Sequence, residues 1–348
     1  MIDTNHQWRV LSHRWFLVGL VLTLGFVTVG GLAYWYYSTA VPSKTTLTQQ
    51  TDDLDNWQVK QSPSVPIESP QSVVTVLFGG DMMFDRNIRQ AIQRSGRDHI
   101  FSRIQPFISE HDLVVANLEG PVTDNQSVSL GSIVGSRENF IFTFDPLVPQ
   151  LLRDANIMIV NLGNNHINNF GSDGVQQTKE RLTAASISYF GNITGEDTED
   201  SVVEQTIGDV RFGFVNFNQF APRSLEVAFA DIAALVDKVD FIIVYTHWGN
   251  EYELTINEVL RQQAQAMIDA GADMIVGSHP HVIQPSEVYK GKYIYYSLGN
   301  FVFDQYFDEN VQTGLLLSVA FSSIDGSIKP IEHRIHLEKG GQTILLEP

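Results

Sequence analysis

Cysteine is absent from all 348 residues. No disulfide can staple the chain, no thiolate can hold zinc, and no cysteine nucleophile exists, so fold and chemistry rest on other side chains. The absence is also compatible with a place outside the cytosol. Basic charge is scarce: 22 Lys and Arg stand against 40 Asp and Glu, a formal net charge of −18. Without a phosphate-neutralising excess, nucleic acid is excluded as the main partner. A polyanionic substrate would be repelled at long range and needs local positive charge, such as bound metal, at its site. The chain also lacks an internal repeat, a Walker-type or paired-Gly nucleotide fingerprint, and a Gly-x-Ser-x-Gly elbow, which removes nucleotide-driven and serine-hydrolase chemistry.

What is present divides into three parts. After a short segment with Arg9 and Arg14, residues 15–37 carry no charge and are flanked by Trp15 and by Tyr34-Trp35-Tyr36-Tyr37. Such a run spans a bilayer core of about 30 Å as a helix with aromatic belts at both ends. Arginines before it and Asp52, Asp53 and Asp55 after it predict a cytoplasmic N-terminus (residues 1–14) and an extracytoplasmic remainder in a single-pass cell-membrane protein. The rival is a signal peptide cleaved near Ser38-Thr39-Ala40, for which the apolar core is too long. Residues 38–71, rich in Ser, Thr, Gln and Pro with Trp57 as the only aromatic residue, cannot offset their ordering entropy and read as an extended linker.

From residue 72 to 348 the pattern is that of a globular domain, with 43% hydrophobic residues overall. Apolar runs alternate with helical spacing over Phe84–Ser95, Phe101–Glu110, Pro146–Ala155 and Gly174–Ala185, the signature of βαβ units. Later, Val202–Asn216 reads as a hairpin around Gly208-Asp209, Tyr293–Tyr296 and Thr313–Ser322 as strands, and the tail beyond Asp325-Gly326 as more strand. The fold class is therefore α/β of the mixed α+β kind, with mixed sheets covered by helices rather than a purely parallel doubly wound sheet.

The apolar runs stop on ligand-type residues: Asp81, Glu119, Asn164-Asn165-His166, His247, and the pair His279 and His281. Strand mouths are where α/β sheets do chemistry. Each residue alone has a plain structural explanation. Asp81 suits a helix N-cap, Glu119 ahead of Gly120-Pro121 a turn, Asn164-Asn165 a left-handed turn, and His247 beside Trp248 a buried, satisfied histidine. The His279-Pro280-His281 pair is harder to explain as scaffold, and the coincidence of all five segments favours one shared site. Oxygen and imidazole donors without sulfur suit Mn²⁺, Fe²⁺ or Zn²⁺, and an Asn carbonyl with a bridging carboxylate suits a two-metal hydrolytic centre. His6, His13, His99, His111, His333 and His336 follow no motif and read as surface residues. Trp248, Tyr252 and Phe301–Phe303 suit either a wall beside the site or core.

Six blocks, Gly80-Asp81-Met82-Met83-Phe84-Asp85-Arg86, Asn117-Leu118-Glu119-Gly120-Pro121, Gly163-Asn164-Asn165-His166, Thr246-His247-Trp248-Gly249, Ser278-His279-Pro280-His281 and Ser297–Phe303, occur in that order. They resemble the signature blocks of the CapA family of poly-γ-glutamate capsule biosynthesis proteins, relatives of calcineurin-like metallophosphoesterases. The resemblance implies a four-layer sandwich of two mixed β-sheets flanked by helices. It matches Asp81, Glu119 and His281 to one metal position and Asn165, His247 and His279 to a second. The relatives' histidine two residues past the first Asp is here Met83, a poor ligand for a hard ion. One tight and one weaker or empty position is therefore expected, with Asp85 as a possible substitute ligand. His166 matches the leaving-group proton donor, Asn164 is a candidate for stabilising the oxyanion, and Arg86 one for binding an anionic substrate group. Two functions follow from the resemblance. One is a metal-dependent hydrolase of a phosphoester or a γ-glutamyl polymer; the other is an accessory subunit that binds, exports or retains an acidic capsule polymer alongside membrane synthase subunits.

Overall fold

The computed structural model describes residues 72–191 and 200–346. The expected cytoplasmic segment, membrane anchor and linker, Trp57, His6 and His13 lie outside the described residues. Among the described residues no helix is long and apolar enough to cross a membrane.

The first half runs β1 (Val73–Met82), α1 (Arg86–Ser95), α2 (Gln105–Ile108), β2 (Leu113–Leu118), α3 (Val148–Asp154), β3 (Ile157–Asn161), α4 (Gly171–Ala184) and β4 (Ser188–Phe190). The second half runs β5 (Val202–Ile207), β6 (Val210–Asn218), α5 (Ser224–Leu235), β7 (Phe241–His247), α6 (Glu258–Asp269), β8 (Met274–Ser278), β9 (Ser286–Tyr289), β10 (Lys292–Tyr295), β11 (Asn300–Val302), α7 (Glu309–Gln312), β12 (Thr313–Ser322), β13 (Ile328–Leu337) and β14 (Thr343–Leu345). One sheet has the order β14-β13-β12-β1-β2-β3-β4, with β11 also on β1, and the other β5-β6-β7-β8-β10-β9. Both are mixed. β1 to β4 are parallel and β12 joins β1 antiparallel; β6, β7, β8 and β10 are parallel between antiparallel β5 and β9.

Alternation along the strands builds the layers, because neighbouring side chains on a strand point to opposite faces. In β1, Val74, Val76 and Phe78 enter the core between the sheets, together with Val115 of β2, Phe212 and Phe214 of β6, and Tyr245 of β7. Leu77 of β1 and Val114 and Ala116 of β2 face the other way, onto Ile88, Ile92 and Leu152 of the first helical layer. On the far side, Ile242 and Val244 of β7 and Ile275 of β8 pack against Ile232 of α5 and Met267 of α6. Strands apolar on both faces therefore lie in a helix–sheet–sheet–helix stack.

Three expectations need correction. The helix over Phe101–Glu110 shrinks to α2 with turns around it, where Pro106 sits in the first turn and Phe101–Ile104 form turns instead. The second half contains α5 and α6, which strand-like patterning did not suggest; α6 is capped by Asn257, whose side chain accepts from the Leu260 N–H. His99, His111, His333 and His336 are half-buried rather than free on the surface. His99 meets the Gly340 carbonyl, and His111 and His333 pack on the Phe107 ring.

Candidate metal centre

Register lines up polar side chains at one level of each sheet. Asp81 of β1 is opposite Asn300 of β11 and Asn117 of β2, and Asn117 is opposite Asn161 of β3. In the other sheet His247 of β7 lies between Asn218 of β6 and Ser278 of β8. All but Asn300, which opens β11, sit at or next to the ends of parallel strands. Gly80 allows this convergence, since a Cβ there would fall 1.8 Å from the Gly299 carbonyl oxygen, and the Asp81 N–H donates to that oxygen at 3.1 Å.

Beyond the strand ends, the side chains meet. Asp81, Glu119 and His281 form one group and Glu119, His247 and His279 another; within each, the donor atoms lie within 4.8 Å of one another. Glu119 belongs to both, which puts it in a bridging position. All five residues are buried. His279 (φ 96°) and His281 (φ 58°) both adopt left-handed backbone, a conformation that costs on the order of 1 kcal/mol or more for such residues and is concentrated at functional sites. The Asp81 carboxylate helps hold this turn by accepting from the His279 N–H at 3.0 Å.

Hydrogen bonds fix which ring nitrogens are bare. The Asn300 amide group donates to the Val311 carbonyl at 3.0 Å and to Gln305 at 3.1 Å, so its oxygen faces His281 Nδ1 at 2.9 Å and accepts a proton from it. That leaves His281 Nε2 with a free lone pair, 3.7 Å from Glu119 Oε1. Ser278 Oγ spends its proton on the Thr246 carbonyl and therefore accepts from His247 Nδ1 at 3.0 Å, while the Asn117 amide nitrogen, 3.3 Å from the same Nδ1, donates to Asp81 instead at 2.7 Å. His247 Nε2 is thus also bare, facing Asn165 Oδ1 at 2.9 Å, His279 Nδ1 at 3.2 Å and Glu119 Oε1 at 3.9 Å. Orienting partners of this kind are what metal-ligating histidines have.

The charges agree. Burial, then the neighbouring Asp81 carboxylate, pushes Glu119 well above the ordinary glutamate range. Burial also raises Asp81, but hydrogen bonding to His281 and the charges of His281 and His247 outweigh it and hold Asp81 far below the usual range. Burial and then His279 push His247 well down; burial and then His281 bring His279 to about 3. Bare ring nitrogens facing two carboxyl groups are the donor set a divalent cation requires. Both oxygens of Glu119 are buried without any hydrogen-bond partner, a costly arrangement unless a cation satisfies them. The residues present therefore fit a divalent cation, with Glu119 common to both donor groups.

Asn165 lies beside the second group through the contact with His247. His166 lies at the rim, with Nδ1 3.2 Å from Asn169 Oδ1 and Nε2 3.9 Å from Glu119 Oε1, its ring tilted against Phe142 with centroids 4.4 Å apart. Burial brings it down to about 4, partly offset by the bond to Asn169. Three candidate residues are engaged elsewhere. Asn164 Oδ1 accepts from the N–H groups of His166 and Ile167, and its Nδ2 donates to Asn117 and the Leu118 carbonyl, so its amide shapes the turn instead of facing an oxyanion. Asp85 stands outside both groups, its carboxylate accepting from Arg89, Ser127, Ser129 and the Thr143 N–H. Arg86 is paired with Asp304, which neutralises the charge an anionic group would seek. Met83, at the relatives' histidine position, is buried in the first helix-side core.

Sequence reasoning missed the asparagines behind the site. Asn117 donates to Asp81 at 2.7 Å, Asn161 to Asn117 at 2.9 Å, and Asn216 to Asn161 at 2.9 Å, so a chain of amides links Asp81 across the sheets to β6. The available signal was an Asn inside an otherwise apolar strand, which needs buried partners. Trp248 proves to be core, its N–H bonded to the Tyr296 carbonyl, whereas Phe303 packs on His281 at 4.8 Å.

Residues 75–305 match the family described as bacterial capsule synthesis protein PGA_cap. Among curated relatives, the PGA biosynthesis protein CapA of Bacillus subtilis (strain 168) is 32% identical over 260 residues, covering 70% of this chain and 67% of that protein. The capsule biosynthesis protein CapA of Bacillus anthracis is 30% identical over 308 residues, covering 79% and 74% respectively. A probable polyglutamine synthesis accessory protein of Mycobacterium tuberculosis (strain ATCC 25618 / H37Rv) is 26% identical over 288 residues, covering 67% and 75%. With the match enclosing Asp81, Glu119, His247, His279 and His281, this chain belongs to the CapA family of poly-γ-glutamate capsule biosynthesis proteins.

Proposed function

We propose that the protein is a membrane-anchored, extracytoplasmic component of poly-γ-glutamate capsule biosynthesis whose buried cluster is a metal-dependent hydrolase centre of the metallophosphoesterase kind. The observation that carries this reading is the Glu119 carboxylate, buried, without a hydrogen-bond partner and shared by both donor groups. The charge-free stretch 15–37 supports the anchor. Asn165, His247, His279 and Glu119 would hold one ion, and Asp81, Glu119 and His281 the other, which is weaker because Met83 replaces a nitrogen ligand. A bound pair of Mn²⁺, Fe²⁺ or Zn²⁺ supplies Lewis-acid polarisation and acidifies water. The chain's own contribution is orientation and proton handling. Asn169 Oδ1 also accepts from the Phe142 N–H, so it acts as acceptor toward His166 Nδ1. That leaves His166 Nε2 to take up a proton at the rim and deliver it to the leaving group. The substrate is a phosphoester or a γ-glutamyl amide.

Met83 favours a second reading, an accessory subunit that binds or retains the acidic polymer beside membrane synthase subunits, because it removes one ligand from the first position. Metal analysis of the purified protein, with incubation in Mn²⁺ against bis(p-nitrophenyl) phosphate and poly-γ-glutamate, separates the two. Released product supports the hydrolase; polymer retained without product supports the accessory role. Two equally tight ions would contradict the unequal positions.

A further inference from the structure

Next to the metal centre, on the side of His166 and His281, is a cleft of about 290 Å³ between α1, the 129–140 loop and the segment after β11. The Arg86 guanidinium lies over Phe142 at 5.0 Å and Phe303 at 5.6 Å, the rings that pack on His166 and His281, and Tyr252 lies 6.1 Å from the His281 ring. The cleft is thus linked to His166 and His281 through the Arg86 guanidinium and these two rings.

The charge balance of the cleft is unusual for a protein that handles an acidic polymer. Among the described residues, Arg86 and Asp304 are the only charged ones lining it, and they are paired to each other. The second Asp304 oxygen accepts from the Asn87 N–H at 3.1 Å, and Arg86 Nη1 is directed to Asn139 at 3.3 and 3.4 Å. The Nη1 and Nη2 donors are thus taken, Nε is buried without a partner, and the Arg86–Asp304 pair leaves the cleft neutral. A carboxylate entering it finds no free cation. What the cleft does offer is aromatic surface, from Phe140, Tyr252 and Phe307 at 42, 40 and 68% exposure, and uncharged amide groups from Asn87 and Gln90. Aromatic faces stack on the C–H face of a sugar ring while amides bond its hydroxyls, a combination of large apolar contact and a few polar groups that is usual in ligand clefts.

We propose that this cleft binds an uncharged saccharide unit rather than an anionic glutamyl unit, and that Asp304 sets the preference by neutralising Arg86. The inference rests on the proposed function only for its position beside the reacting centre; binding itself needs no turnover. The test is calorimetric titration of the full-length protein with N-acetylglucosamine trimer and with tri-γ-glutamate, at about 0.05 and 0.3 M salt, concentrations that bracket strong and weak screening. The saccharide binds with no salt dependence, and the glutamate trimer binds more weakly. Phe307→Ala, at a largely exposed position and so harmless to folding, weakens saccharide binding roughly fivefold, the scale of one aromatic contact. Asp304→Asn frees Arg86 and strengthens glutamate binding by about tenfold with a new salt dependence, the scale of one charge-assisted hydrogen bond. Wild-type protein that prefers the glutamate trimer, binds neither probe, or ignores Phe307→Ala overturns the proposal. Should Asp304→Asn fail to fold, wild type and Phe307→Ala decide it alone. Loss of hydrolytic activity with saccharide binding intact would count against the hydrolase reading and leave this one standing.

Discussion

Glu119→Gln tests the metal centre through two readouts that move in opposite directions. In the metal-free protein the Glu119 carboxylate is buried, both oxygens lack partners, and burial followed by Asp81 pushes it well above its ordinary value of 4.5. A group whose folded value is raised contributes stability below its unfolded value and loses that contribution as pH rises toward the folded one. Metal-free protein should therefore lose stability as pH climbs from about 4.5, because the folded state resists giving up this proton. Gln has the same shape and no charge, and its amide faces the bare Nε2 atoms of His281 and His247 from the position of Oε1, which is 3.7 and 3.9 Å from them. Removing an uncompensated buried charge is worth about 3–5 kcal/mol. At about 2–4 °C per kcal/mol for a domain of this class, even the lower figure raises the melting temperature by roughly 6–12 °C. The assay is thermal unfolding in EDTA at pH 5 and pH 8. The variant gains over wild type at pH 8, the gain shrinks at pH 5, and the variant no longer takes up metal. A variant that is less stable than wild type in EDTA at pH 8, or that keeps the wild-type metal content, would refute the bridging assignment.

Three other outcomes follow from the geometry. His166→Ala lowers phosphodiester turnover by about 10²–10⁴-fold with metal content unchanged by elemental analysis; loss of both would make His166 structural. Asn300→Ala releases the His281 ring from its fixed tautomer and weakens metal binding by about 10–100-fold in a competition titration against a chromophoric chelator, and an unchanged affinity would remove Asn300 from the site. Asp85→Ala breaks the four-donor junction that holds the two ends of the 127–143 loop and costs about 3–5 kcal/mol, read as faster proteolysis within that loop; a cleavage pattern identical to wild type would contradict that role.

Much of this was legible in the residues alone. Apolar runs that stop on Asp81, Glu119, His247 and the His279-Pro280-His281 pair predict strand mouths carrying ligands, because a buried strand must leave the core before a polar side chain can be placed. The order of six motif blocks carried the family. The later helices were less legible: α5 is apolar on most sides, with Val227, Ala228, Ile232 and Leu235 all buried, so periodicity could not distinguish it from strand.

By itself, the sequence determined the ligand types, the βαβ alternation and the absence of thiol chemistry, since these depend on residue identity and short-range spacing. Only the tertiary structure decided that Glu119 bridges two donor groups, that Asn164 and Asp85 turn away, and that Asp304 cancels Arg86 from 218 positions along the chain. Those outcomes depend on register between strands and on which donors reach a carboxylate first. Such competition among distant groups is settled only when the two sheets close on each other.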